Sequence, residues 1–381
     1  MTLARHPLLI VGGGPAGLAA ALAAKQHGIT PLVLERQRPP IDKACGEGIV
    51  PDGVAALRAL GVEPPGVDFR GIRYVDEAHM AEAAFPGAPG RGVRRTALHA
   101  AMVEAVEAAG IEVRWSTKVE AVSLDGEVRT ASETLRGEWV VGADGLLSHV
   151  RGWAGLAGPA PRRRRFGVRR HFRLAPWTDL VEVHWRDGVE AYVTPVERDE
   201  VGVAMLWNKE RDGDGDGDAG EHESDSFDSL LRRFPEVSAR IAGAPETSRD
   251  RGAGPFRQRA RGVVRGRVVL IGDAAGYLDA ITGEGLGLSF QQAQALGASL
   301  ARGELAGYER ACRKLARLSD TLTEALLFCE RRPWLRRRLA RELGRRPALF
   351  SRLLGVHARQ LPPRAMGVRA FGGLLLGLLR P

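Results

Sequence analysis

The sequence predicts an α/β fold: a parallel sheet flanked by helices, interrupted by a mainly antiparallel sheet domain and followed by a helical tail. Three observations predict it. The apolar run Leu8-Leu9-Ile10-Val11 breaks into a glycine-rich turn and then a helix of small residues. Two later apolar runs end the same way, Val140-Val141 in Gly142-Ala143-Asp144-Gly145 and Val268–Ile271 in Gly272-Asp273-Ala274-Ala275. Between these two turns lie several short alternating stretches. Short fully apolar runs suit parallel strands covered on both faces, whereas alternation suits strands with one apolar face.

Taken in order, the first turn reads Gly12-Gly13-Gly14-Pro15-Ala16-Gly17. Gly12 permits the tight turn, Gly14 lets backbone approach a pyrophosphate, and Gly17 lets the helix from Leu18 lie close on the strand. Free amides at the helix start then face phosphate charge. A second strand, Pro31–Leu34, ends in Glu35, a carboxylate suited to a ribose diol. Strand, turn, helix, second strand and terminal acid together predict a Rossmann-like dinucleotide site. The Asp144 turn continues to Ser148 and Arg151, and the Asp273 turn to Gly283-Glu284-Gly285-Leu286-Gly287 and a helix through Gln291 and Gln292. An acid after a strand can hold a ribityl hydroxyl, and glycines opening a helix can bring amides to a pyrophosphate or ring edge. Three such sites suit one long cofactor lying extended across the sheet. A nicotinamide-only dehydrogenase would not need the third.

These segments resemble the FAD-dependent oxidoreductases built like para-hydroxybenzoate hydroxylase, a superfamily of aromatic monooxygenases, flavin-dependent halogenases and geranylgeranyl reductases. The resemblance rests on Gly12–Glu35, on Gly142–Arg151 in its GADGxxSxVR form, and on Gly272–Gly287. It implies an FAD-binding Rossmann-like domain of glutathione-reductase type, an inserted antiparallel-sheet substrate domain and a C-terminal helical tail. It further implies non-covalent FAD, Asp273 on the ribityl chain, and Asp144 and Gly145 in a motif serving both FAD and NAD(P)H. Asp144 also has a plainer reading as a turn-stabilising residue. Arg95 resembles the family's arginine at a helix start beside the cofactor, with Arg94 as the neighbouring alternative. The candidate cofactor contacts are Gly12, Gly14, Pro15, Ala16, Gly17, Glu35, Arg36, Arg95, Val119, Asp144, Gly145, Gly272, Asp273, Gly283, Gly285, Leu286 and Gly287. No metal ligand set is expected.

For the chemistry, Lys43-Ala44-Cys45-Gly46-Glu47-Gly48 and Thr282–Gly285 resemble the geranylgeranyl-reductase branch, but Ala191-Tyr192-Val193-Thr194-Pro195 lacks that branch's YxWxFP aromatics. The WxWxIP motif of halogenases is also missing. The favoured expectation is an NAD(P)H-using monooxygenase that hydroxylates or epoxidises a small hydrophobic organic substrate through a flavin C4a-hydroperoxide. The alternatives are a flavoenzyme reducing carbon–carbon double bonds and a catalytically silent flavin-binding protein. Cys45, Glu47 and Tyr192 are the candidate catalytic residues: a pocket-lining thiol, a proton donor or loop cap, and a pocket wall. His171 and His184 look isolated on their strands.

The expected division is a cofactor domain in three parts (1–69, 94–154 and 261–330), a substrate domain in two (70–93 and 155–260, with an acidic loop at 210–226) and a tail at 331–381. The substrate sheet is expected to turn one face to a pocket and the other to water. The basic run Arg162–Arg165 reads as a solvated linker. Asp212, Asp214, Asp216, Gly217 and Glu223 match a calcium-loop pattern but lack the flanking helices that such a loop needs, and read as a flexible acidic insert.

Composition narrows the classes further. With 381 residues, 44% of them hydrophobic, the chain can bury a large core, so a disordered or fibrous protein is excluded. No apolar run approaches the ~18–20 residues that span a bilayer. Cys45, Cys312 and Cys329 are too scattered for a disulfide framework. The net charge of +9 is a property of the tail: residues 331–381 hold 13 arginines and a single acid, Glu342, and the rest of the chain sums to −3. No aromatic–basic alternation accompanies it, which argues against nucleic acid. A cytoplasmic chain is expected. The tail, with its apolar end Phe371–Leu379, is a candidate for peripheral contact with the inner face of a membrane. Alternatively its leucines cover the cofactor domain while its arginines face water.

Overall fold

A computed structural model describes residues 5–160, 164–209 and 226–379. At its centre strand Arg5–Val11 pairs in parallel with Thr134–Gly142 on one side and Pro31–Leu34 on the other. Val268–Leu270 and Glu112–Arg114 extend this sheet, again in parallel. The register is decisive for function. Val11 lies opposite both Leu34 and Gly142, and Gly142 opposite Leu270, so all the turns singled out above leave the same edge of the sheet. Ligands of parallel α/β sheets bind at that carboxyl edge.

The alanines of helix Pro15–Gln26 are explained by its partner. A side chain on Gly297, in helix Gly285–Ala301, would stand 2.8 Å from the Ala23 carbonyl oxygen. Backbone therefore lies almost on backbone, which only small residues permit. These two helices, with Arg95–Ala108, share one buried cluster.

The second sheet has seven strands, in the order Arg251–Ala253, Arg164–Arg173, Glu200–Lys209, Val189–Glu197, Leu180–Arg186, Gly71–Val75 and Met80–Ala84. It is antiparallel apart from Leu180–Arg186 beside Gly71–Val75. The expectation of one solvated face is corrected. Helices Phe227–Leu231 and Pro235–Ile241 cover that face, where Phe227, Phe234 and Val237 pack on Val193, Val203 and Met205. The expected solvated linker is corrected in part: Arg165 lies within Arg164–Arg173, buried and paired with Glu190. Most of the acidic insert, and with it the calcium-like pattern, lies outside the described residues.

The histidines are not isolated either. His184 contacts Glu182 at 3.3 Å and Glu236 at 3.1 Å. Burial alone would raise the Glu182 carboxyl, but hydrogen bonds from His184, Trp177 and Arg73 outweigh it and hold the acid at about 2. The stabilisation this provides is complete above the ordinary value of 4.5 and is lost as pH falls toward about 2. Glu182→Gln should therefore flatten the acid limb of a stability–pH curve, measured as urea midpoints.

The tail forms helices Pro333–Arg345, Pro347–His357 and Val368–Leu379 after the long helix Leu305–Glu330. It packs on the second sheet. Leu339, Leu343, Phe350 and Leu354 join Val181, Val183 and Trp185 in one cluster, and Phe350 stacks on Tyr74 with ring centres 5.4 Å apart. The expectation that the tail's arginines face water is corrected at two anchors. Arg336 is fully buried against Asp76 at 3.0 Å, and Arg359 reaches Asp52 at 2.7 Å. Among the described residues, no helix is long and apolar enough to cross a membrane.

Candidate functional site

A continuous cavity of about 950 Å³ runs from the glycine turns to the tail. Its first end is polar. Gly12 has φ +112°, and a side chain there would meet the Ala143 carbonyl oxygen at 2.4 Å. One at Gly17 would lie 1.8 Å from the Gly12 carbonyl oxygen. The turn, the second motif and the helix start are thus in backbone contact. Glu35 accepts the Gly13 amide at 2.7 Å and the Gln37 amide at 2.8 Å, which fixes its carboxylate at the cavity edge.

His99, which the sequence reading passed over, buttresses this turn from below. The Ile41 amide donates to Nδ1, so Nε2 carries the hydrogen and donates to the Gly13 carbonyl at 2.8 Å. Burial lowers its basicity, in keeping with a neutral ring.

The choice between the two arginines falls to geometry. Arg94 turns away to Glu200 at 2.8 Å. Arg95 opens helix Arg95–Ala108, lines the cavity and is buried, with Nε lacking a partner among the described residues. Lys43 is a second cation that the sequence reading did not assign. Its side chain is open to the cavity yet deep within the protein envelope, and desolvation with Arg95 alongside pushes its ammonium down.

Asp144 uses its carboxylate locally, accepting the Ser148 hydroxyl at 2.5 Å and the amides of His149 and Val150. That is the turn-stabilising role, and it presents Gly145 at φ +85° to the cavity. Arg151 then joins two motifs: its guanidinium donates to the main-chain oxygens of Asp273, Ala274 and Leu146. Gln292 accepts the Gly272 amide at 2.8 Å. Burial raises the Asp273 carboxyl, while Lys43, Arg95 and Arg151 pull it back. Pro15, Ala16, Arg36, Val119, Gly283, Gly285 and Leu286 also line the cavity, whereas Gly287 packs against Gly53. An orphaned buried guanidinium, a crowded ammonium and open helix-start amides fit an extended ligand with a pyrophosphate in its middle.

The other end is apolar. Ile72, Tyr74, Val181 and Val183 come from the second sheet, Leu322 and Leu326 from the long helix, and Leu339, Leu343, Phe350, Leu354 and Leu374 from the tail. The sequence reading did not foresee the tail as a chamber wall. Cys45 sits between the two ends. Burial raises its thiol, so it is an unionised pocket-lining group at neutral pH. Glu47 has φ +59°, and its carboxylate accepts the Arg95 amide at 2.7 Å and contacts His171 Nε2. It thereby pins the cysteine loop to the second sheet. Tyr192 lines the chamber, its hydroxyl 2.8 Å from Glu190 and 3.1 Å from the Ile281 carbonyl oxygen.

Comparison with known proteins agrees with this architecture. The profile of the family described as FAD binding domain matches residues 5–308. Dialkyldecalin synthase of Streptomyces rugosporus is 28% identical over 315 residues, 77% of this chain and 65% of its own length. The chain thus spans about two thirds of that relative. Menaquinone reductase of Mycobacterium tuberculosis is 29% identical over 307 residues, 73% of this chain and 72% of the relative. Para-nitrophenol 4-monooxygenase of a Pseudomonas species is 28% identical over 311 residues, covering 73% of each. A flavoprotein/dehydrogenase from Cytophaga hutchinsonii shares the fold over 98% of both chains, with a TM-score of 0.78 at 15% identity. The halogenase PltM, solved with phloroglucinol and FAD, shares it over 98% of this chain and 96% of its own, with a TM-score of 0.74 at 16% identity. The chain therefore belongs to the FAD-binding domain family, within the FAD-dependent oxidoreductases built like para-hydroxybenzoate hydroxylase.

Proposed function

We propose that this protein is an FAD-dependent monooxygenase that takes electrons from NAD(P)H and hydroxylates or epoxidises a small, mostly apolar organic substrate. The observation that carries this reading is the continuity of one cavity from a phosphate-suited cradle to an aliphatic chamber. FAD, when bound, supplies the redox chemistry, including activation of dioxygen. The chain's own residues do the rest. Gly12, Gly14 and the helix-start amides, with Arg95 and Lys43, hold the phosphates; Asp273 takes the ribityl chain; Glu35 takes the ribose. Leu339, Leu343 and Phe350 exclude water from the reacting end.

A second reading, reduction of a carbon–carbon double bond, is favoured by the aliphatic depth of the chamber and by the Cys45–Gly48 turn at the junction. Turnover of 4-hexylphenol and of geranylgeraniol under labelled dioxygen separates the two. Label in the product supports oxygenation, whereas a product gaining only hydrogen moves the protein to the reductase reading. Leu343→Trp should fill the chamber and abolish either reaction while leaving the protein yellow. Retained colour with neither product from any apolar probe would favour a catalytically silent flavoprotein.

Peripheral membrane contact is part of the same proposal in reduced form. The leucines named above face inward, so among the described residues the apolar groups offered to a bilayer are Trp334 in the tail, 50% exposed under Arg338, and Phe328 at the end of the long helix, 51% exposed under Arg332. Aromatic rings paired with arginines suit an anionic interface. The protein should co-sediment with vesicles containing phosphatidylglycerol at low salt, and Phe328→Ser/Trp334→Ser should abolish this. Wild-type protein left in the supernatant would end this reading.

A further inference from the structure

Behind the chamber wall lies a buried group of charges that the cofactor cradle does not use. Arg165 is within 3.0 Å of Glu190 Oε2 and 3.4 Å of Asp279 Oδ1. Glu330, buried at the end of the long helix and bonded to Asn208 at 3.2 Å, faces the same guanidinium. Tyr74 stands near Glu190 from two strands away, across Leu180–Arg186. Three carboxylates thus surround one cation where water is excluded. Glu190 itself is fully buried, and its Oε1 has no partner among the described residues.

The hydrogen bonds at Tyr192 say where a proton is kept. Its hydroxyl lies between two acceptors, Glu190 Oε2 at 2.8 Å and the Ile281 carbonyl at 3.1 Å, yet it has a single hydrogen. One hydrogen cannot point squarely at both: it is either shared between them, or the Glu190 carboxyl, whose Oε2 also faces Arg165, carries a second proton and donates to Tyr192 Oη while Oη donates onward to Ile281. Burial, the dominant influence on both acids, raises Glu190 and takes Asp279 to about 6. Tyr192 lines the chamber, as Tyr74 does, and is the one hydrogen-bonded to Glu190; Ile281 belongs to the loop that leads to the cofactor-side glycines.

We propose that Tyr192 and Glu190 form a proton-handling pair in the chamber wall, serving an apolar substrate with one oxygen at its head: a phenol, an enol or a quinone carbonyl. The inference rests on the chamber being the substrate site. When negative charge develops on that oxygen, the Tyr192 hydroxyl turns to it from the Ile281 carbonyl, the Oη–H bond breaks and its proton passes to the substrate. The Glu190 Oε2–H bond breaks in turn and restores the phenol. The carboxylate left behind is held by Arg165 and regains its proton through Tyr192, from water that enters the chamber after product leaves. Tyr192 touches the substrate, while Glu190 and Arg165 act through it.

The test uses FAD-loaded full-length protein and infrared spectroscopy at neutral pH, with 4-hexylphenol as the probe. The expected result is a protonated-carboxyl C=O stretch that Glu190→Gln removes, Tyr192→Phe displaces and Glu47→Gln leaves in place, and that shifts when the probe binds. Flavin colour in each variant confirms folding. No stretch lost in Glu190→Gln overturns the inference, whatever the chamber binds. A Glu190 stretch indifferent to the probe, while the flavin spectrum responds to it, also overturns it and leaves the pair a structural bond. A probe that perturbs neither flavin nor carboxyl contradicts the chamber reading, and the inference falls with it.

Discussion

Replacing Gly17 with alanine will give a protein that purifies without flavin colour. The added methyl would sit 1.8 Å from the Gly12 carbonyl oxygen and 3.3 Å from Ala143 Cβ, so helix Pro15–Gln26 must lift off the strand edge. Neither neighbour can yield cheaply, because one is backbone and the other lies on the adjoining strand turn. Overpacking of this kind costs about 3 kcal/mol, which is roughly two powers of ten in FAD affinity. The displaced helix also withdraws its amides from the phosphates. FAD titration followed by flavin fluorescence checks this. Wild-type affinity in Gly17→Ala would mean that the helix start does not hold the cofactor.

Arg336→Ala will loosen the tail and spoil the chamber without emptying the cradle. Arg336 and Asp76 are both fully buried, and Asp187 adds a second carboxylate at 2.9 Å. Removing the guanidinium leaves Asp76 as an uncompensated buried charge, a loss of about 3–5 kcal/mol where total stability is about 5–15. Leu339 and Leu343, on the same helix, then lose their seat against Val181 and Val183. The expected result is a lower urea midpoint, retained FAD and loss of apolar ligand binding. Asp76→Leu/Arg336→Met should recover much of the stability, because an apolar pair of similar volume needs no compensation. A urea midpoint unchanged in Arg336→Ala would contradict the anchor.

The cofactor end was legible in the sequence because its demands are local. Gly12, Gly17, Glu35 and Asp273 stand at fixed offsets from strand ends, and strand ends show as breaks in apolar runs. The strands of the second sheet were legible for a similar reason, through their alternation. What could not be read was set by distant contacts. Glu47 lies 124 residues from His171, so nothing near it in the chain shows that its carboxylate pins a loop. Asp76 and Arg336, 260 residues apart, look like surface charges until the tail folds back. Arginine density in the tail suggested water or membrane, yet two of those arginines are anchors, Arg336 buried against Asp76 and Arg359 half-buried against Asp52. His99 carried no motif, and Lys43 stood in the cysteine segment without a role; only the turn that one supports, or the cavity that the other enters, gives them meaning. The helices over the second sheet were hidden because they follow the acidic insert, and strand alternation alone does not say what covers the outer face.

The most direct test of the central claim is anaerobic photoreduction of the yellow protein, followed by rapid mixing with dioxygen in a stopped-flow spectrometer, with and without 4-hexylphenol. The account predicts that the apolar ligand changes the course of flavin reoxidation and that labelled oxygen enters the product. It further predicts that Leu343→Trp abolishes both effects. Reoxidation that is identical with and without ligand, in the wild type and in Leu343→Trp alike, would contradict a shared cavity in which cofactor and apolar substrate meet.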